Sequence, residues 1–195
     1  MLREGPRSHK VRLRLDPFTL VGATTELGAL PRAFRDRFPL QESLDLYGDE
    51  DLAGVVVKAG ARLKRSVTPE ASQEMARRSK ATPRVAISLL RRSRDLAQLA
   101  GAPEVGLVHV VQAAEQLGID ERGLGHEDQK VLQVLIRRRK PIGAKALAAK
   151  VGLDLETYLN VHEPWLEHLG LIERTPEGRI ATEKARELYR DLAVK

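Results

Sequence analysis

The spacing of apolar positions changes period along the chain, and each change marks a new kind of segment. Val11, Leu13 and Leu15 alternate with Arg12, Arg14 and Asp16, the period of two expected of a strand with one exposed face, and Pro17 interrupts it. Phe18-Thr19-Leu20-Val21-Gly22-Ala23-Thr24-Thr25 is more continuously apolar and predicts a second, internal strand ending in small and hydroxyl residues. Leu30 to Phe38 predicts a short helix or turn, and Glu42–Tyr47 a brief strand. Two or three strands and one short helix do not close an α/β layer, so each sheet edge here needs another strand or a cover.

From Asp49 the period becomes helical. Asp49 is placed to cap a helix running to about Lys64, and Thr68-Pro69-Glu70 starts another, with the hydroxyl cap and first-turn proline that helix starts favour. The strongest helix follows Thr82-Pro83, with Val85, Leu89, Leu90, Leu96, Ala97 and Ala100 on one side and Arg84, Arg91, Arg92 and Arg94 mostly elsewhere. A further helix is predicted over about Leu107–Leu117, and Gly118 to Gly125 leads into the last segment. There, Glu127–Arg138 and Ala144–Lys150 read as helices, the second stopping at Gly152. Asp154 caps a longer helix from Leu155 to His168, ending at Gly170. Two short strands, Leu171-Ile172-Glu173-Arg174 and Arg179-Ile180-Ala181-Thr182, flank the turn Thr175-Pro176-Glu177-Gly178. Helix, short helix, turn, helix and hairpin make a winged helix. The fold class is therefore mixed α/β and mostly helical, in three segments: 1–48, 49–120 and 121–195.

Charge supports this segmentation. Residues 1–57 carry 8 basic and 9 acidic groups, 58–100 carry 11 and 3, 101–129 carry 1 and 6, and 130–195 carry 13 and 9. A net charge of +6 leans toward a polyanionic partner, while aromatic residues at 4% argue against a base-stacking surface, so a nucleic-acid backbone is the better target. The absence of Cys excludes disulfides and thiolate metal sites and fits a reducing compartment. No apolar run is long enough to span a bilayer and the start has no apolar signal core, which reads as a cytoplasmic protein with no membrane partner. His9, His109, His126, His162 and His168 show no metal-ligand spacing.

Gly5-Pro6, the Phe18–Thr25 run, Arg35-Asp36-Arg37-Phe38, Leu44-Asp45-Leu46-Tyr47, Ala81-Thr82-Pro83-Arg84, Leu89-Leu90-Arg91-Arg92 with Arg94-Asp95, and Arg174 through Thr182 occur in an order and spacing that resemble RuvB. That family comprises ring-forming AAA+ motors that drive branch migration of four-way DNA junctions in bacterial recombination and repair. The resemblance implies the end of an AAA+ ATPase core, a helical lid domain and a C-terminal winged helix. Neither a GxxxxGK[ST] sequence nor an acidic quartet ending an apolar strand occurs in the chain. The expectation is therefore that the phosphate-loop part, with its Walker A and Walker B motifs, is absent, and that the chain alone binds neither ATP nor Mg²⁺ and is not an active motor. The alternative is a non-catalytic winged-helix remnant that binds DNA or a partner protein.

By the same resemblance, Thr25, or Thr24 beside it, falls on the γ-phosphate sensor, where a hydroxyl orients a water or a phosphate oxygen. The residues alone favour a plain polar strand end. Arg35 matches the arginine that reaches into a neighbouring subunit's nucleotide site, a role suited to a planar, always-charged guanidinium. Arg37 is the close alternative, and surface pairing of Arg35 with Asp36 the simpler reading. Arg84 matches the lid arginine that contacts nucleotide, and lying at a positive helix end it gains from an anion there. The family has Gly where this chain has Ala81. If that place requires a positive φ, Ala81 costs about 1 kcal/mol or forces a shift. Tyr47 falls near the adenine, or packs against the core. In the winged helix Arg174 and Arg179 are candidate DNA-backbone contacts, joined by Arg138 within the run Arg137-Arg138-Arg139-Lys140. Glu177 reverses a charge usually basic in the family and is expected to weaken wing binding or to move its main contact to Arg179. Trp165 is expected to pack in the domain core. The implied partners are four-way or duplex DNA, a RuvA-like junction-binding protein, and further copies of the chain in a hexameric ring.

Overall fold

The computed structural model describes residues 16–193 and divides the chain into two compact units, Met1–Leu44 and Asp45–Lys195. The strand predicted over Val11–Leu15 lies outside the described residues, as does Gly5-Pro6.

In the first unit a 3₁₀ turn at Leu27–Ala29 precedes the short helix α1, Arg32–Arg35, and the rest of the described chain is irregular. The strands predicted over 18–25 and 42–47 are not formed. Phe18, Leu20 and Val21 are exposed, and among the described residues no neighbouring strand supplies ladder hydrogen bonds to them. An apolar run becomes a strand only when another strand and a covering layer take its backbone and side chains. The turn at α1 is held by Phe34 and Phe38, whose ring centroids lie 5.3 Å apart.

The second unit begins with four helices: α2 (Asp49–Arg62), α3 (Pro69–Arg77), α4 (Pro83–Leu99) and α5 (Leu107–Gln116). Gly48, not Asp49, occupies the N-cap of α2. Asp49, Glu50 and Asp51 instead fill its first turn, where their charge complements the helix dipole. Thr68 caps α3 as its sequence predicts, the side-chain oxygen accepting the Ala71 N–H at 3.2 Å. Leu52, Val56, Met75, Leu89, Leu90 and Val110 form the centre of this bundle's core. The loops before α3 and before α5 meet in a two-residue parallel pair, β1 (Ser66–Val67) with β2 (Glu104–Val105), which no sequence pattern announces.

Helices α6 (His126–Arg138) and α7 (Ala144–Val151) open the winged helix, and Gly152 ends α7 at φ +80°. The predicted long helix is interrupted. It runs as α8 (Leu155–Thr157), a π turn at Tyr158–His162, and α9 (Glu163–His168). Pro164 has no N–H to offer the fourth residue back, and just before it the ladder slips so that the Glu163 N–H reaches the Tyr158 carbonyl. Strands β3 (Ile172–Thr175) and β4 (Gly178–Ala181) pair antiparallel, and Ile142 adds a bridge to Arg179. Gly178 is required there: it sits at φ +139°, and a Cβ would come within 2.5 Å of the Ile142 carbonyl. A short helix α10 (Glu183–Leu188), capped by Thr182, follows the wing. Leu132, Leu135, Leu147, Tyr158, Leu166 and Leu171 anchor a second core, distinct from the first, and Trp165 packs half-buried at its edge. The observed architecture is the mixed, mostly helical class expected, with a helical bundle followed by a winged helix.

Candidate functional site

Within the first unit, Thr25 lies in an exposed irregular segment, and the neighbouring Thr24 hydroxyl accepts the Glu26 N–H at 2.9 Å. Arg35 ends α1 half-buried, its Nε shielded and without a hydrogen-bond partner among the described residues. The pairing of Arg35 with Asp36 is not formed, because Asp36 turns to Arg32 at 3.8 Å. Arg37 is exposed.

Within the second unit, the start of α4 gathers the other nucleotide-side candidates. Arg84 is its second residue and is exposed, at the positive end of a 17-residue helix. The Tyr47 N–H donates to the Ala81 carbonyl at 3.4 Å, which brings Tyr47 beside the turn that leads into Arg84. Tyr47 is 46% exposed rather than packed in the core, so an aromatic face and a guanidinium stand open near one helix N-terminus. Lys80 and Ala81 both hold positive φ, +53° and +51°, a conformation that Gly adopts freely and that strains each of them by about 1 kcal/mol. Ala81 thus holds the positive φ whose cost the sequence reading foresaw for this position.

The winged helix arranges its arginines unequally. Glu163, held 0% exposed just past the π turn, receives Arg179 Nε at 2.8 Å and Arg174 Nε at 2.8 Å. A second Arg179 nitrogen, Nη2, reaches its other oxygen at 3.3 Å, and Arg174 Nη2 extends to Glu167 at 2.6 Å. The hydrogen bond to Glu163 holds the Arg179 guanidinium above its usual range. The Arg179 side chain is 21% exposed and that of Arg174 is 52% exposed, so Arg174 presents much more of its charge to solvent. Beneath them the Tyr158 hydroxyl is buried with no hydrogen-bond partner among the described residues. Burial first, and then the Glu163 charge, push its ionisation up.

Arg138 is exposed at the end of α6 together with Arg137, Arg139 and Lys140. Beside this run an open cleft of about 940 Å³ is lined by Arg137, Arg139, Arg186 and Arg190 together with Glu183 and Glu187. Arg186 is partly committed, donating to the Ile136 carbonyl at 2.8 Å. Glu177 is exposed in the hairpin turn.

The structure therefore joins Tyr47 with Arg84, and Arg174 with Arg179 around Glu163, and leaves Arg138 in a separate basic patch. Sequence reading missed Glu163, whose Glu-Pro position inside a predicted helix was the available sign of a break. It also missed Asp128, third residue of α6 after Gly125, whose carboxylate accepts the Gly125 N–H at 2.8 Å as helix-start acids do. Among the described residues no group of three His, Cys, Asp or Glu is placed to hold a metal ion, and no helix is long and apolar enough to cross a membrane.

Three family models match the chain in succession: the Holliday junction DNA helicase RuvB P-loop domain over residues 1–44, the RuvB AAA lid domain over 47–120, and the RuvB C-terminal winged helix domain over 121–190. The first match overturns the expectation that the phosphate-loop part is absent. Residues 1–44 belong to that domain, so the expectation that the chain lacks the Walker A- and Walker B-bearing part is overturned with it. The Holliday junction branch migration complex subunit RuvB of Chlorobaculum tepidum is 43% identical over 187 residues, covering 95% of this chain and 54% of the relative. That of Lactobacillus johnsonii is 42% identical over 184 residues, covering 93% and 54%. The solved structure of the Thermotoga maritima RuvB Holliday junction branch migration motor superposes with a TM-score of 0.80 at 38% identity, covering 89% of this chain and 59% of that one. The chain spans about half the length of the curated relatives it matches. With successive RuvB domain models matching nearly its whole length, the chain belongs to the RuvB family.

Proposed function

We propose that the chain is a component of an ATP-driven branch migration motor acting on four-way junction DNA in recombination and repair. The observation that carries this reading is the pairing, within one compact unit, of an exposed corner at Tyr47 and Arg84 with a winged helix bearing exposed basic groups. The corner fits a nucleotide: Tyr47 offers a face to adenine, and Arg84 at the α4 N-terminus offers charge to a phosphate. Mg²⁺ would be carried largely by the nucleotide's phosphates and waters.

In this reading the segments 1–48, 49–120 and 121–195 are the end of the ATPase core, the lid and the DNA-binding domain. Arg35, whose Nε has no hydrogen-bond partner among the described residues, reaches into a neighbouring subunit's site, and Thr25 senses the γ-phosphate. Arg138 and Arg174 are the more available backbone contacts in the winged helix, with Arg179 supporting them through Glu163. Assembly is a hexameric ring working with a RuvA-like junction-binding protein in the cytoplasm.

The test is twofold. Arg84→Ala should weaken binding of a fluorescent ATP analogue at least about tenfold, the loss of roughly one charge-assisted contact. Arg138→Ala should weaken binding to a labelled four-way junction and reduce its salt slope by about 1. Unchanged binding in both variants would refute the reading. A second reading, in which the wing docks on a protein, is favoured by the engagement of Arg174 and Arg179 with Glu163. It predicts partner binding that is insensitive to salt.

A further inference from the structure

The segment joining the helical bundle to the winged helix is pinned on both sides. Arg78, just past α3, donates through Nη1 to the Ile119 carbonyl at 3.2 Å. Gly123, at φ +77°, lies so close to the Arg78 backbone that a Cβ would stand 2.6 Å from its carbonyl oxygen. Asp120 accepts the Arg122 and Leu124 N–H groups at 2.8 Å each, and its other oxygen accepts the Tyr189 hydroxyl at 2.6 Å. A connection so fixed does not behave as a flexible tether.

At its centre stands an ionic cluster with no part in the nucleotide or DNA contacts described above. The Asp128 carboxylate is 1% exposed; Oδ2 accepts the Lys80 ammonium at 2.5 Å, and Oδ1 faces His162 Nδ1 at 2.7 Å. These three residues come from the turn before α4, the first turn of α6 and the π turn that precedes α9. Lys80 keeps a left-handed backbone and a mostly buried ammonium, two unfavourable conditions that persist only where the surroundings over-determine them. It lies four residues before Arg84.

We propose that Lys80, Asp128 and His162 are positioning residues that lock the turn carrying Arg84 to the start of α6 and the π turn of the winged helix, so that a displacement at the nucleotide corner carries the winged helix with it. The transmission half of this inference rests on the nucleotide reading of Arg84 above. The locking half stands on the geometry alone. A chain of packed and ion-paired side chains of this kind can carry energetic coupling between distant sites.

The chain contains no Cys, so spin labels can be placed at Leu99→Cys, 83% exposed at the end of α4, and Lys150→Cys, exposed on α7, without further substitution. Pulsed electron resonance should give a narrow distance distribution for this labelled chain. Lys80→Met and Asp128→Asn should broaden it, and Lys80→Arg should restore it. His162→Phe serves as a third variant if circular dichroism shows either loss to be unfolded. In parallel, affinity for a fluorescein-labelled four-way junction is measured with and without a non-hydrolysable ATP analogue and Mg²⁺. The unsubstituted chain should show a coupling factor on the order of 5 or more. Lys80→Met should still bind both ligands, with the factor reduced to about 1. Narrow distances in all the folded loss variants, or an unchanged coupling factor in Lys80→Met, would overturn the proposal. A chain whose junction affinity does not respond to nucleotide sinks the nucleotide reading of Arg84 and the transmission half with it, while the label distances still decide the lock.

Discussion

Glu163→Gln separates the stability of the wing from its grip on DNA, because it acts on both in opposite directions. The carboxylate is fully buried and faces two guanidinium groups, each with an Nε at 2.8 Å. Breaking a buried ion pair by removing one partner costs about 3–5 kcal/mol when the remaining charge is left dry. Here the Arg174 side chain is 52% exposed and that of Arg179 21% exposed, and glutamine still offers one oxygen, so both arginines recover much of their solvation. The expected loss is therefore nearer 2 kcal/mol, or a fall in Tm of about 4–8 °C for a unit of this size. The same change releases guanidinium charge in the hairpin, one residue pair from its turn. If the released groups reach phosphates, the slope of log affinity against log salt steepens by about 0.9 for each, up to about 1.8 for both. The assay is fluorescence anisotropy of a labelled four-way junction from 50 to 300 mM salt, well below the variant's Tm, beside thermal unfolding by circular dichroism. A lower Tm with a steeper slope and tighter binding at low salt is the expected result. A slope equal to that of the unsubstituted chain, with affinity falling along with stability, would refute the view that Glu163 holds these arginines back from DNA.

The left-handed turn before α4 discriminates by side-chain shape. Ala81→Gly relieves strain but loses a buried methyl and adds unfolded-state freedom, so urea midpoints should place it within about 1 kcal/mol of the unsubstituted chain. Ala81→Val puts a β-branched residue at φ +51° and should cost about 2 kcal/mol or more. Tyr158→Phe removes a buried hydroxyl that has no partner among the described residues, and should leave stability unchanged or raise it by about 1 kcal/mol in the same assay. Acid should loosen the joint between bundle and winged helix. Burial raises the Asp128 ionisation, but the His162 hydrogen bond and the Lys80 charge outweigh it and hold the carboxyl below its ordinary value of 3.8. A group depressed in the folded state contributes stability above that ordinary value and loses it as pH falls through the folded one. Urea midpoints should therefore drop as pH is lowered below about 4, and Asp128→Asn should flatten that part of the curve.

What the sequence disclosed follows the range of the forces involved. Helices α2 to α7 were readable because their signals are local: Thr68 caps α3 and Gly152 ends α7 within the segments they delimit. The strands predicted at 18–25 and 42–47 failed for the opposite reason, since strand formation depends on partners that the segment itself does not contain. The β1–β2 pair was invisible because two residues per strand leave no period to detect. The π turn lay between these cases. Pro164 marked a break, but where the ladder would slip depended on the core around Tyr158. The candidate site divides in the same way. Sequence reading assigned Arg84 to nucleotide by resemblance and Arg138, Arg174 and Arg179 to the DNA backbone, without showing which of these charges the fold would engage. Folding makes them unequal, because Glu163 lies 11 positions before Arg174 and 16 before Arg179 and meets both only once the hairpin has closed over α9. Arg84 and Arg138 remain exposed, Arg174 is half engaged, and Arg179 is held as part of the domain's own framework. A count of basic residues therefore overstates the charge that a polyanion meets, and the correction comes from one buried carboxylate.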